Sequence, residues 1–192
     1  MSAVVASYWL WAIWYVAWWI PALWSPRAAS RPPRGTSNLD RLATLVGVVL
    51  LFWTPTLAPG HFLLCVPMWR TAAGMAWVWV AGMAAGFAFC WWARVHLGRL
   101  WSGLVTAKAD HRIVDTGPYG LVRHPIYSGV MASAVCLGLL KATPLALLGA
   151  VLVIAGFWLT ARKEERFLRE ALGAEGYDAY SRRVGMLMPF LH

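Results

Sequence analysis

The sequence predicts an all-α fold, a polytopic membrane helical bundle of about five transmembrane helices. Three observations lead there. Hydrophobic residues make up 60% of the 192 residues and charged residues only 13%, too apolar a balance for an ordinary soluble domain. The charges are also segregated, leaving residues 1–26, 42–69, 71–93 and 142–161 without Asp, Glu, Lys or Arg, while 124–140 has only His124 as a titratable cation. A hydrocarbon core takes about 20 apolar residues per helix, and each run fits one span, the fourth being short. Finally, if the spans alternate, residues 25–41, 93–124 and 162–192 share one side and hold 15 Lys/Arg, against Arg70 and Lys141, a total of 2, on the other. The positive-inside rule then puts the N-terminus outside and the C-terminus in the cytoplasm. The net charge of +9 is thereby explained as topology, which argues against a nucleic-acid partner.

The first span, roughly Val4 to Trp24, has no basic leader and is too long for a signal-peptide core, so it is expected to be retained. Its tryptophans are spread along its length, as expected for packing or lipid contact. A polar Pro/Gly-rich linker follows, and the chain divides into residues 1–41, a helix plus linker, and 42–192, the core. The second span starts near Leu42 and is broken by Pro55 and Pro59; the conformation from there to Trp69 is not set by the sequence. The third, about Thr71 to Trp92, carries Gly82 and Gly86 four apart, a packing seam for a neighbouring helix. A polar segment over 93–124 is long for a structureless connector, which points to function. Within it, His111 to Val114 reads as a short extended piece. The last two spans form a hairpin turned at Lys141 to Pro144, and the fifth continues past the membrane to a helix-ending Gly173. The tail 162–192 is expected to fold back as an amphipathic lid. Cys65, Cys90 and Cys136 stand alone in apolar runs, suggesting packing rather than a metal or disulfide.

The chemistry concentrates in Thr116 to Gly129, at the junction between the polar segment and the fourth span. Gly117, Pro118 and Gly120 mark a turn, and Pro125 suits the first turn of a helix. Tyr119, Arg123, His124 and Tyr127 crowd that start, where free N–H groups favour an anion. From Thr143, Glu164 lies 21 residues on, about 32 Å along a helix, so Glu164 and Glu165 should surface level with His124. The bland alternatives are an interfacial anchor around His124 and a solvated helix with a Glu165–Arg169 pair.

Gly-Pro-Tyr-x-x-Val-Arg-His-Pro-x-Tyr-x-Gly, a helical hairpin, then Glu-Glu-Arg-x-Leu and Tyr-x-x-Tyr-x-x-Arg-Val together resemble the isoprenylcysteine carboxyl methyltransferase family over about Ala93 to Phe190. Phospholipid N-methyltransferases are more distantly similar. The resemblance implies S-adenosyl-L-methionine bound at the cytoplasmic edge and a lipophilic or lipidated acceptor entering from the bilayer. It carries cofactor contacts onto His111, Ile113, Val114, Tyr119, His124, Pro125, Tyr127 and Glu164, with Glu165 a second candidate for the acidic role. Physically, the cofactor's carboxylate suits Arg123, His124 and the helix start, its ammonium a glutamate, and its sulfonium a tyrosine face. On the acceptor side, Thr160 stands where the family has an arginine that meets the acceptor's carboxylate. Arg162, the nearest basic residue, lies about 200° further round the helix.

The sequence therefore predicts S-adenosylmethionine-dependent methyl transfer to a lipophilic acceptor, a carboxylate of an isoprenylcysteine-like molecule being one form. It leaves open an NADPH enzyme similar to sterol reductases, which share an Arg-His-Pro-x-Tyr region, and a non-catalytic binding or assembly protein. Membrane lipids are expected partners; no metal site is predicted, and no motif sets the oligomeric state.

Overall fold

The structure is a computed structural model that describes residues 1–20, 38–53, 63–98 and 113–189. Among these it contains six α-helices and no paired strand: α1 (Ala3–Trp19), α2 (Leu39–Phe52), α3 (Ala73–Leu97), α4 (Pro125–Lys141), α5 (Pro144–Leu172) and α6 (Ala174–Arg183). Pro55, Pro59 and His111 lie outside the described residues, so the break after the second span and the first half of the His111–Val114 piece do too.

The hairpin is set by local chemistry. Pro125 opens α4, where its missing N–H costs nothing. Ala142 ends that helix in the left-handed region at φ 54°, its N–H returning to the Gly138 carbonyl. Thr143 then caps α5, accepting from the Ala146 N–H at 3.2 Å, and Pro144 takes the first helical position. Lys141 donates to the carbonyls of Leu51 and Trp53 at 2.7 and 3.0 Å, tying this corner to the end of α2. At its far end α5 stops at Gly173, φ 90°, as the sequence predicts.

Packing follows the small residues. Helix α3 lies against α4, α2 against α5, and α1 against α3. A side chain on Gly129 would collide with the Gly86 carbonyl and the Cys90 sulfur, and one on Gly86 would meet Ser133 and the Gly129 carbonyl. The predicted seam at Gly82 and Gly86 is therefore the α3–α4 contact. A second seam joins α2 to α5: a Cβ on Gly47 would sit 2.7 Å from the Gly149 carbonyl, and one on Gly156 2.8 Å from the Asp40 carbonyl. Above these seams Trp11 and Trp14 of α1 pack on Phe87 at ring separations of 4.8 and 4.6 Å. Trp9 and Trp19 stay exposed, so the tryptophans of α1 divide between packing and an outward face.

Helix lengths meet the five-span expectation only in part. By length and composition two described helices, α3 and α5, can cross a membrane, and α4 is a shorter apolar helix of 17 residues. As described, α1 and α2 have 17 and 14 residues. Only 22% of the apolar window of α3 and 33% of that of α5 are buried, whereas the core helix of a soluble protein is mostly buried. From Arg162 to Glu170, seven of nine residues are charged, so α5 leaves its apolar stretch before the glutamates.

Gly129→Val is expected to destabilise the protein by about 1–3 kcal/mol or more through overpacking, whereas Gly74→Ala, with nothing within 4 Å of the added carbon, should be neutral or slightly stabilising. Thermal unfolding in detergent separates them; equal effects would refute the seam.

Candidate functional site

The stretch before α4 forms a compact cradle. Gly117 has φ 58° and leaves no room for a Cβ, which would meet the His96 ring at 2.7 Å. A 3₁₀ turn over Gly117–Gly120 brings Tyr119 beside His96, the rings 6.4 Å apart, while His96 Nε2 lies 3.0 Å from the Thr116 hydroxyl. Past the turn, the chain runs alongside the C-terminal tail. The Arg123 N–H donates to the Gly185 carbonyl at 2.9 Å and the His124 N–H to that of Met186 at 3.1 Å. One turn into α4, the Ser128 hydroxyl lies 2.7 Å from the Leu187 carbonyl.

Side chains complete the cradle. Arg123 donates from Nε to Glu165 at 3.0 Å and from Nη2 at 2.7 Å, and its Nη1 serves the carbonyls of Ser181 and Val184. His124 places Nε2 2.7 Å from Glu165 Oε1, and the Tyr177 hydroxyl donates to the same oxygen at 2.8 Å. Beyond the membrane stretch of α5, burial alone would raise the Glu165 pKa. Hydrogen bonds from His124, Arg123 and Tyr177 outweigh it and hold the carboxyl down at about 2. The paired carboxylate keeps the Arg123 guanidinium above its ordinary value despite burial.

Glu164 is held differently. The Tyr127 hydroxyl donates to its Oε2 at 2.8 Å, and His124 Nδ1 stands 3.6 Å from that oxygen. The His124 and Tyr127 rings are parallel within 4° at 5.4 Å. One histidine thus stands between two glutamates, although adjacent helical residues differ by about 100°. Glu165 is enclosed by three donors; Glu164 keeps acceptor capacity beyond its single tyrosine.

Of the residues singled out in the sequence, Arg123, His124, Tyr127, Glu164 and Glu165 form one network, with Pro125 buried at the helix start. The carbonyl of Tyr119 accepts from Tyr180 at 2.7 Å. Ile113 packs on Tyr177 and Tyr180, and Val114 is half-buried nearby in sequence. Thr160 lies apart, its hydroxyl 3.3 Å from Asp40 Oδ2, and Arg162 covers the Trp158 ring at 5.3 Å. The Glu165–Arg169 pair does not form, because Arg123 holds Glu165 while Arg169 reaches Asp178 at 2.7 Å.

Two features escaped the sequence. Tyr177 and Tyr180, read from the sequence only as part of the Tyr-x-x-Tyr-x-x-Arg-Val stretch and given no role in the site, carry hydrogen bonds into the cradle from α6. Asp40 pairs with Lys163 at 2.7 Å across α2 and α5; its signal was being the first acid in the chain, 70 residues before the next at Asp110.

The fold and site define a class: an all-helical protein whose apolar hairpin ends in a buried cluster of acid, base and aromatic groups. Residues 78–170 match the family model of isoprenylcysteine carboxyl methyltransferases, a segment holding most of α3, the turn with Arg123 and His124, α4 and both glutamates, but not the α6 and tail residues that complete the cradle. Among similar proteins are the Saccharomyces cerevisiae protein-S-isoprenylcysteine O-methyltransferase, 37% identical over 97 residues, which are 49% of this chain and 40% of that protein. A probable protein-S-isoprenylcysteine O-methyltransferase of Oryza sativa subsp. indica is 31% identical over 113 residues, 58% of this chain and 53% of that one. The cobalt-zinc-cadmium resistance protein CzcN of Cupriavidus metallidurans is 34% identical over 99 residues, 50% of this chain and 44% of that protein. The chain thus spans about half the length of the curated relatives it matches. The resemblance read from the sequence is supported: the segment that builds the site is isoprenylcysteine carboxyl methyltransferase-like.

Glu165→Ala leaves Arg123 without its counter-charge and is expected to cost about 3–5 kcal/mol, whereas Glu164→Ala removes one hydrogen bond, about 1 kcal/mol. Hydrogen exchange at the Arg123 and His124 amides should report the tail's release in the first variant only. Because the Glu165 pKa is depressed, its stabilisation is full above the ordinary carboxylate range and is lost as pH falls toward about 2. The same amides should therefore stay protected from pH 7 to pH 5; exposure within that window would refute the pairing.

Proposed function

We propose that this chain is an S-adenosylmethionine-dependent methyltransferase that acts on a lipophilic acceptor at the cytoplasmic face of a membrane. The observation that carries the reading is the pairing of His124 and Tyr127 with Glu164 inside the segment that matches the family. These groups suit the cofactor. Glu164 retains acceptor capacity for an ammonium, the start of α4 offers N–H groups to a carboxylate, and the Tyr127 and Tyr119 rings offer faces to a cation. His111, Ile113, Val114 and Pro125 would complete the contacts that the resemblance implies. Arg123 and Glu165 act as the frame, since each is committed to the other and to the tail.

S-adenosylmethionine would supply an electrophilic methyl group. The chain's own part is alignment and exclusion of water. Transfer to a carboxylate needs no general base, because opposite charges are neutralised as the bond forms. A partly buried site at a membrane edge favours that change, so positioning can account for much of the acceleration. The relatives' names point to an isoprenylcysteine carboxylate as acceptor, and the exposed apolar faces of α3 and α5 support delivery from the bilayer. Multi-pass insertion with the N-terminus outside rests on the 15-to-2 distribution of Lys/Arg.

His124→Ala and Glu164→Ala should each weaken S-adenosylmethionine binding roughly 10- to 150-fold, the effect of losing a charge-assisted hydrogen bond of about 1.5–3 kcal/mol. Calorimetric titration of the purified protein checks this, with NADPH as the comparison ligand. Unchanged affinity in both variants, or tighter binding of NADPH, would overturn the assignment. For topology, a reporter fused after His192 should be active on the cytoplasmic side; activity on the external side alone would reverse the orientation.

A further inference from the structure

One face of α5 changes character along its length. Leu148, Val151, Ala155, Trp158, Arg162 and Arg166 fall within about 80° of one another, each residue turning the helix by about 100°, so they form a single stripe. Leu148, Val151 and Trp158 are exposed, and so are both arginines. From Leu148 the stripe runs about 15 Å to Trp158, and Arg166 lies about 12 Å beyond the tryptophan. Apolar, aromatic and cationic residues in that order match the passage from hydrocarbon through the interfacial belt to the headgroups.

The two arginines stand apart from the charge pairs around them. Lys163 is paired with Asp40, Arg169 with Asp178, Arg183 with Asp115 and Arg123 with Glu165. Among the described residues no carboxylate oxygen lies within 4.0 Å of a nitrogen of Arg162 or Arg166. Glu164 and Glu165, between them in sequence, turn to Tyr127, His124 and Arg123 instead. The Arg162 guanidinium lies 5.3 Å from the centre of the Trp158 ring, a contact that holds its fork at the interface. Topology sets on which side the cations lie, but it does not account for two unpaired arginines one turn apart beside a tryptophan.

We infer that Arg162 and Arg166 bind the phosphate of an anionic phospholipid in the leaflet nearest the cradle, its acyl chains lying along Leu148 to Trp158. The inference rests on the membrane reading of α5 and not on methyl transfer. Residues four apart on a helix are neighbours, about 5–6 Å between Cβ atoms, so one phosphodiester can meet both guanidiniums. Each planar guanidinium suits phosphate oxygens taken in pairs. A headgroup without an amine brings an uncancelled negative charge, whereas choline or ethanolamine carries its own cation. Continuity with the apolar stripe selects a lipid over a soluble anion, because an acyl chain covers the face that a free phosphate would leave to water. Arg162 then belongs to the bilayer and not to the acceptor.

The test is native mass spectrometry of the full chain in detergent with equimolar phosphatidylglycerol and phosphatidylcholine of identical acyl chains. Wild type should retain phosphatidylglycerol on the order of 25-fold better, the two arginines contributing about fivefold each. Arg162→Gln and Arg166→Gln should each remove about fivefold of that preference. Both together should bring it close to parity, whereas Arg162→Lys with Arg166→Lys should keep part of it. Arg182→Gln, which changes an exposed arginine of α6, should leave it unchanged. Thermal unfolding in detergent should be the same throughout, since every substituted side chain is exposed. No preference in wild type, its survival when both arginines are glutamine, or an equal loss in Arg182→Gln would overturn the inference. So would binding of glycerol phosphate as tightly as the lipid, which would make the arginines a site for soluble anions. Recovery of the chain from cells without detergent would remove the membrane reading and this inference with it, while titration with S-adenosylmethionine decides methyl transfer separately.

Discussion

The buried pair of Arg123 and Glu165 sits where three parts of the chain converge and ties them to one another. Arg123 follows the 3₁₀ turn, Glu165 lies on α5, and the carbonyls of Ser181 and Val184 come from the tail. Taking both charges out of water is costly unless each is hydrogen-bonded throughout. Here the guanidinium is divided between a carboxylate and two carbonyls, and Glu165 collects donors from Arg123, His124 and Tyr177. That saturation fixes the orientation of His124, which then presents its other nitrogen toward Glu164. Geometry at the candidate site is therefore inherited from an ion pair that need not touch a ligand.

The hairpin supplies the second constraint. A charge cluster can converge only if α4 and α5 keep a fixed register, and their register begins at the corner where Ala142 turns, Thr143 caps and Lys141 reaches α2. The glycine seams keep it from drifting. Gly149 and Gly156 let α2 lie close along α5, which in turn brings Asp40 to Lys163 near the same end of the bundle as the cradle. Helices α2 and α4 thus each approach α5 with a charge pair at one end. The Asp40–Lys163 pair lies on the α2 side, and the network of His124 and Glu164 on the α4 side.

Much of this was legible because it is local. Pro125 at a helix start, the turn at Lys141 to Pro144, the end at Gly173 and the level placement of His124 and Glu164 follow from proline, glycine and helical rise alone. The Gly82–Gly86 seam was legible from small-residue spacing. What the sequence did not show is long-range. Glu165 has an apparent partner four residues away in Arg169, and only the tertiary fold reveals that Arg123, 42 residues distant, takes it instead. Tyr177 and Tyr180 looked like part of an amphipathic tail lying on a membrane; their hydroxyls point into the protein because α6 packs on Ile113 and Leu168. Span counting was the weakest inference, since apolar composition sets a run's length but not how much of it is helical. Helix α2, Leu39–Phe52, has 14 residues as described and covers only the start of the run that begins at Leu42.

The claim that this ion pair positions the cofactor site is tested most directly by a double-mutant cycle read on S-adenosylmethionine affinity, using Arg123→Leu, Glu165→Leu and both together. If the two act only through each other, either single change should lower affinity about tenfold or more, and the double variant should be no worse than the worse single. Near-additive losses would mean that each residue meets the ligand separately, and unchanged affinity in both single variants would mean that the pair does not govern the site.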